Sequence, residues 1–144
     1  MRFVFLLVSL TIVTACSTKK IAVNTFEEKN GFLAVEAEDY QEQHLTETRK
    51  WYRTDANSTK IDGRDDDENH SSTASGGAYL EILPDTRTNH SEKLIPGENF
   101  SNEPGKLGVL DYKVKINNPG RYYVWVRAFS TGSEDNGIHV GLNG

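Results

Sequence analysis

The sequence predicts an all-β fold, an antiparallel β-sandwich cut short at its C-terminal end. Three observations carry this expectation. Apolar residues recur at every second position in short runs, turn residues bound those runs, and no long segment has a helical apolar stripe. "LGVLDYKVKI" (Leu107–Ile116) alternates well: Leu110, Tyr112, Val114 and Ile116 face one way, and Asp111, Lys113 and Lys115 the other. Stretches 41–77 and 84–106 are polar and rich in Asn, Asp, Ser and Thr, as the long loops of a sandwich are.

The chain opens on "MRFVFLLVSLTIVTAC". Arg2 precedes an apolar run from Phe3 to Val13, too short to span a bilayer, which needs about 20 apolar residues. A charged start and an apolar core read as a secretory signal peptide. "VTAC" (Val13–Cys16) resembles the bacterial lipobox, in which small residues precede a cysteine that becomes the lipid-modified first residue. The resemblance implies a signal peptide at 1–15 and lipidation at Cys16. It also implies an exported protein anchored by lipid to the bacterial cell envelope, at the outer membrane or cell surface. A plain secretory signal with an incidental cysteine is the alternative. Cys16 is the only cysteine, so no disulfide forms within the chain.

The formal charge of −5 includes Arg2, the only charged residue in 1–15, so residues 16–144 carry −6. That balance disfavours a nucleic acid partner, whose binders present basic faces. It also leaves membrane attachment to the lipid rather than to a basic patch. Residues 16–31 are polar without a sustained period and read as a flexible tether ending at Gly31.

The domain is expected at 32–144. "FLAVEAEDY" (Phe32–Tyr40) reads as its first strand, with Glu36 and Glu38 on one face and Ala37 on the other. "AYLEIL" (Ala78–Leu83) is a strand bounded by "SGG" and Pro84. "NNPG" (Asn117–Gly120) is a turn. "RYYVWVRAF" (Arg121–Phe129) puts Tyr122, Val124, Val126 and Ala128 on one face, and Tyr123, Trp125, Arg127 and Phe129 on the other. "IHVGL" (Ile138–Leu142) is a further strand. The chain then closes on Asn143-Gly144, a hairpin signal with no return strand after it. About five strands are visible where a sandwich has seven or more. The expectation is a fragment of a longer protein; a complete small domain with an unusual end is the alternative.

"VEAEDY", then "ASGGAYLEI", then "PGRYYVWVRAFSTGSEDNGIHVGLNG" resemble, in order and spacing, the carbohydrate-binding modules of families 6 and 35. They are also similar to the sandwich at the C-terminus of family 115 glycoside hydrolases. The resemblance covers Phe32 to Gly144. It implies a galactose-binding-like jelly roll and a structural calcium ion held by the carboxylates of the first-strand "EAE", Glu36 and Glu38. It also implies glycans bound on end loops or a sheet face by stacking on aromatic rings. The family's completing acidic ligand lies near the module's C-terminus, so it is expected to be missing from this chain.

Physics agrees with the metal. Two carboxylates on one strand face repel each other, and a hard divalent cation turns that repulsion into shared attraction. Calcium takes 6–8 oxygen ligands, so backbone carbonyls and another acid are needed as well. Solvated glutamates on an edge strand are the alternative. A second acidic run, "DGRDDDENH" (Asp62–His70), begins as an EF-hand loop does. It has His70 where that loop needs Gly, and Gly76 where it needs Glu, and it reads as a solvated loop.

Nothing in the pattern points to catalysis. His44, His70, His90 and His139 lack ligand spacing, and no nucleophile motif or P-loop is present. Sugar binding asks for an exposed ring flanked by hydrogen-bonding groups. Trp51 and Tyr52, in or beside a polar loop, are the candidate platform. Glu134, Asp135 and Asn136, just before a strand, are the candidate polar contacts. Trp125 is an alternative platform, although a central strand tryptophan is more often core.

The function expected is that of a surface-anchored, non-catalytic glycan-binding module with polysaccharide or oligosaccharide as partner. Its parent would be a larger polysaccharide-degrading or glycan-capturing protein. The alternatives are an adhesion or structural sandwich that binds protein, and an accessory domain of a glycoside hydrolase whose catalytic domain lies beyond Gly144.

Overall fold

A computed structural model describes residues 24–64, 67–87, 89–130 and 137–143. The fold is non-helical and built of strands. In chain order these are β1 (Phe26–Glu27), β2 (Glu42–His44), β3 (Lys50–Asp55), β4 (Ala78–Leu83), β5 (Val109–Asp111) and β6 (Val114–Lys115). Three short 3-10 turns, Ala37–Asp39, Ser71–Thr73 and Ser75–Gly77, complete the assigned elements. Among the described residues no helix is long and apolar enough to cross a membrane.

The strands pair two by two. β3 and β4 are antiparallel over six residues each, from Lys50 opposite Leu83 to Asp55 opposite Ala78. β2 is antiparallel to β5, and β1 is parallel to β6. The purely antiparallel expectation therefore needs correction at β1–β6. β4 is the strand expected at Ala78–Leu83. β3 is not: the stretch read as one polar loop, 41–77, contains both β2 and β3. "KWYRTD" has no apolar–polar alternation to reveal it. Aromatic and β-branched side chains hold it as a strand because a full-length partner lies alongside. An Asx turn ends it, with Asp55 Oδ1 accepting from the Asn57 amide at 2.9 Å.

Other expected strands are interrupted or unassigned. Leu107–Ile116 divides into β5 and β6, with a break at Tyr112–Lys113. The Tyr112 hydroxyl leaves the ladder to donate to the Ala37 carbonyl at 2.7 Å. Phe32–Tyr40 is not a strand: Ala37–Asp39 winds into a 3-10 turn. Arg121–Phe129 and Ile138–Leu142 are in no strand. At the other end, ordered structure begins before the expected tether boundary at Gly31. The Phe26 and Glu28 amides donate to the Lys113 and Lys115 carbonyls, each at 2.9 Å.

Glu28 fixes this junction. It is 1% exposed, and its carboxylate accepts from the Asn117 and Asn118 main-chain amides, the Asn118 side chain and the Gly31 amide. A buried carboxylate is tolerable only when its lone pairs are satisfied. The "NNPG" turn is thus closed from beneath by an acid 89 residues earlier in sequence. Among the described residues the buried apolar side chains, Ala78 and Leu83, bracket β4, so the core of these residues sits at the β3–β4 pair.

Candidate functional site

Glu36 and Glu38 do not share a strand face. Glu36 is the extended residue that precedes the 3-10 turn, with φ −75° and ψ 134°, and Glu38 lies inside the turn. The turn nevertheless aims both carboxylates at one place, the Ser75–Gly77 turn that feeds β4. Ser75 Oγ donates to Glu36 Oε1 at 2.8 Å. Glu38 Oε1 lies 3.8 Å from where a Cβ on Gly76 would stand. Gly76 and Gly77 have φ of 63° and 75°, left-handed values that glycine adopts at little cost.

Tyr112 braces the turn from below through its bond to the Ala37 carbonyl. Burial pushes its phenol up to about 12, with the Glu38 carboxylate and Tyr40 adding to the effect. The site therefore has two carboxylates and a hydroxyl beside side-chain-free glycines. All are hard oxygen donors, the type that calcium takes. Among the described residues no group of three or more His, Cys, Asp or Glu side chains is placed to hold a metal ion. Carbonyl, hydroxyl or water oxygens would have to complete a shell begun by Glu36 and Glu38.

The loop beside this turn is clasped from the other side. His70 stacks on Phe129 with ring centroids 3.8 Å apart and planes at 25°. Arg127 Nη2 donates to the Thr73 carbonyl at 2.9 Å. The "SGG" turn, the carboxylate pair and residues 127–129 are thus mechanically joined.

Trp51 and Tyr52 occupy β3, which corrects their expected place in or beside a loop. The Trp51 indole N–H donates to the Gly108 carbonyl, and its main chain is bracketed by the Gln43 side-chain amide at 2.8 and 3.1 Å. A Cβ on Gly108 would come within 3.2 Å of the indole nitrogen and 3.0 Å of Ile82 Cδ1, so the ring is closely packed. Consecutive strand residues point to opposite faces, so Trp51 and Tyr52 do not form one clamp. Tyr52 is half-buried beside Glu81, with the Lys50 ammonium 5.5 Å from its ring centroid. Trp125, the expected core tryptophan, is 91% exposed. Glu134, Asp135, Asn136 and Cys16 lie outside the described residues.

Sequence reasoning missed one polar cluster. Thr54 is fully buried; its hydroxyl donates to Glu81 Oε2 at 3.0 Å and accepts from Arg64 Nη2 at 3.0 Å. Arg64 also pairs directly with Glu81. Cross-strand alternation could have placed Thr54 and Glu81 on one face of the β3–β4 pair, but only once β3 was recognised. Within "DGRDDDENH", the Asn69 side-chain oxygen accepts from the Ser71 amide at 2.9 Å, just ahead of the Ser71–Thr73 turn. Asp65 and Asp66 lie outside the described residues.

No protein-family model matches the sequence, and no solved structure matches it. The chain is similar to a protein of Formosa agariphila named Uncharacterized protein P23, being 61% identical over 119 residues. The match covers 83% of this chain and 29% of that relative, so the chain spans under a third of the relative's length.

Proposed function

We propose that this chain is the glycan-binding portion of a longer, lipid-anchored envelope protein, a β-sandwich module of the carbohydrate-binding kind that binds without catalysing. The observation that carries this reading is the convergence of Glu36 and Glu38 on the Ser75–Gly77 turn. The segments "VEAEDY" and "ASGGAYLEI" are far apart in sequence, yet here they meet, and the meeting gathers oxygen donors of the kind calcium takes. Glu36 and Glu38 would hold the ion with nearby carbonyl or hydroxyl oxygens. Its role is structural: it would neutralise the two carboxylates and fix the turn leading into β4. Tyr52 supplies a ring, and Glu134, Asp135 and Asn136 supply hydrogen-bonding groups to the sugar hydroxyls. Trp51 drops out of the platform, because its indole is committed to Gly108. Cys16 carries the lipid.

The test is affinity electrophoresis of the protein through gels containing neutral and acidic polysaccharides, with calcium or with a chelator. Retardation by at least one polysaccharide, weakened by Tyr52→Ala, is the expected result. Shallow stacking sites bind in the micromolar to millimolar range, so retardation is expected to be partial. Absence of retardation across the panel with folded protein defeats the reading. One observation favours protein binding instead: the exposed apolar residues Val124, Trp125 and Val126 form no sugar platform with their aliphatic members.

A further inference from the structure

Both stretches expected as the last strands are exposed. Every described residue from Lys113 to Ser130 and from Gly137 to Asn143 is solvent-accessible. Their large apolar side chains include Val124 at 69%, Trp125 at 91% and Leu142 at 80% exposure. Exposure does not favour one face. Val124 and Val126 belong to one alternation and Tyr123 and Trp125 to the other, and all four are open. An ordinary surface strand keeps one face polar; this stretch, in no strand here, has apolar residues in both alternations. Among the described residues neither stretch pairs with a strand, so its edges are open as well.

The stretches are still held at defined points. Tyr122 donates to the Asn118 carbonyl at 2.6 Å, Arg127 holds Thr73, Phe129 stacks on His70, and His139 bonds the Ser101 carbonyl at 3.0 Å. Residues 123–126 lie between two such anchors. This is a surface pre-placed to receive β-strands along its edges and a layer across its face.

We propose that residues 121–129 and 137–143 form an intramolecular docking surface, covered by β-strands from a part of the same polypeptide that the F. agariphila relative carries outside the matched region. The relative's length supports this occupant, since the match accounts for only 29% of it.

The experiment compares this chain with a fusion in which it replaces the matched region of the relative, all of the relative's other residues being kept in place. Hydrogen exchange is read at single-residue resolution. Amides at 121–129 and 137–143 are expected to exchange freely in the chain alone at every concentration. In the fusion they should slow by at least about tenfold. Tryptophan emission should shift to the blue, and Trp125→Phe should remove that shift. Val124→Asp should restore fast exchange at 121–129 while the β3–β4 amides stay protected. Open amides at 121–129 and 137–143 in a fusion whose β3–β4 amides are protected would overturn the proposal. Protection that appears in the lone chain as its concentration rises would overturn it in favour of a second copy. If the fusion does not fold, the same exchange on the full-length relative decides by the same criteria.

Discussion

Trp51 and Trp125 exchange the roles that their local sequence suggests, and mutation should reveal it. Trp51 looks like a loop residue because polar neighbours surround it, but its indole fits against Gly108 and Ile82. Trp51→Ala should destabilise the chain by about 3 kcal/mol, combining a lost ring with an orphaned carbonyl. Trp125→Ala should change stability by less than about 0.5 kcal/mol in this chain, as an exposed residue does. Urea melts followed by β3–β4 exchange distinguish the two; equal losses would refute this assignment. Glu28 gives a second residue-scale outcome. Hydrogen bonds from the Asn118 side chain and then the Gly31 amide hold its carboxyl below the ordinary glutamate value. A depressed folded pKa contributes stability that is present above 4.5 and lost as pH falls through the lower folded value. Stability should therefore decline on acidification below pH 4.5, and Glu28→Gln should flatten that decline. An unchanged pH profile in the variant would remove Glu28 from the explanation.

At the scale of elements, the Ser75–Gly77 turn is where fold and site meet. Gly76→Ala should cost about 1 kcal/mol, because its φ of 63° is unfavourable to any side chain. It should also reduce the stabilisation by calcium, since the new methyl faces Glu38 Oε1. Gly105 supplies the control: its φ is 67° and nothing lies within 4 Å of its would-be Cβ. Gly105→Ala should carry the backbone cost and leave the calcium response intact. Thermal melts with calcium and with chelator measure both terms, and Glu36→Ala or Glu38→Ala should abolish the response. A wild-type melt indifferent to calcium would remove the ion from this site. The β4 strand and the "NNPG" turn were legible because glycine and proline punctuate them. β3 was not, since its apolar partners lie across the sheet rather than along its own sequence. The first expected strand became a turn because Tyr112, 75 residues away, holds the Ala37 carbonyl. The carboxylate pair was legible as chemistry, but its meeting with Ser75 depends on long-range contact that no local period encodes.

At the scale of the molecule, stability should be uneven. Burial of apolar side chains is the main force offsetting chain entropy. Here the fully buried apolar residues among those described are Ala78 and Leu83, both at the β3–β4 pair. Elsewhere β1, β2, β5 and β6 have two or three residues each, and such short pairs contribute little alone. The Arg64–Glu81–Thr54 cluster adds specificity to the same pair rather than a second centre, because desolvation offsets much of a buried ion pair. Amide exchange should therefore be slowest in Lys50–Asp55 and Ala78–Leu83, intermediate around Glu28 and the "NNPG" turn, and fastest at 121–129 and 137–143. Opening of the periphery need not open the centre, so thermal unfolding should be broad. Tryptophan fluorescence and far-ultraviolet dichroism should give different midpoints, the signature of a transition that is not two-state. A single sharp transition, with both probes coincident and 121–129 and 137–143 protected as strongly as β3–β4, would mean that these exposed stretches are already covered in this chain, and both the uneven ladder and the docking surface would fail together.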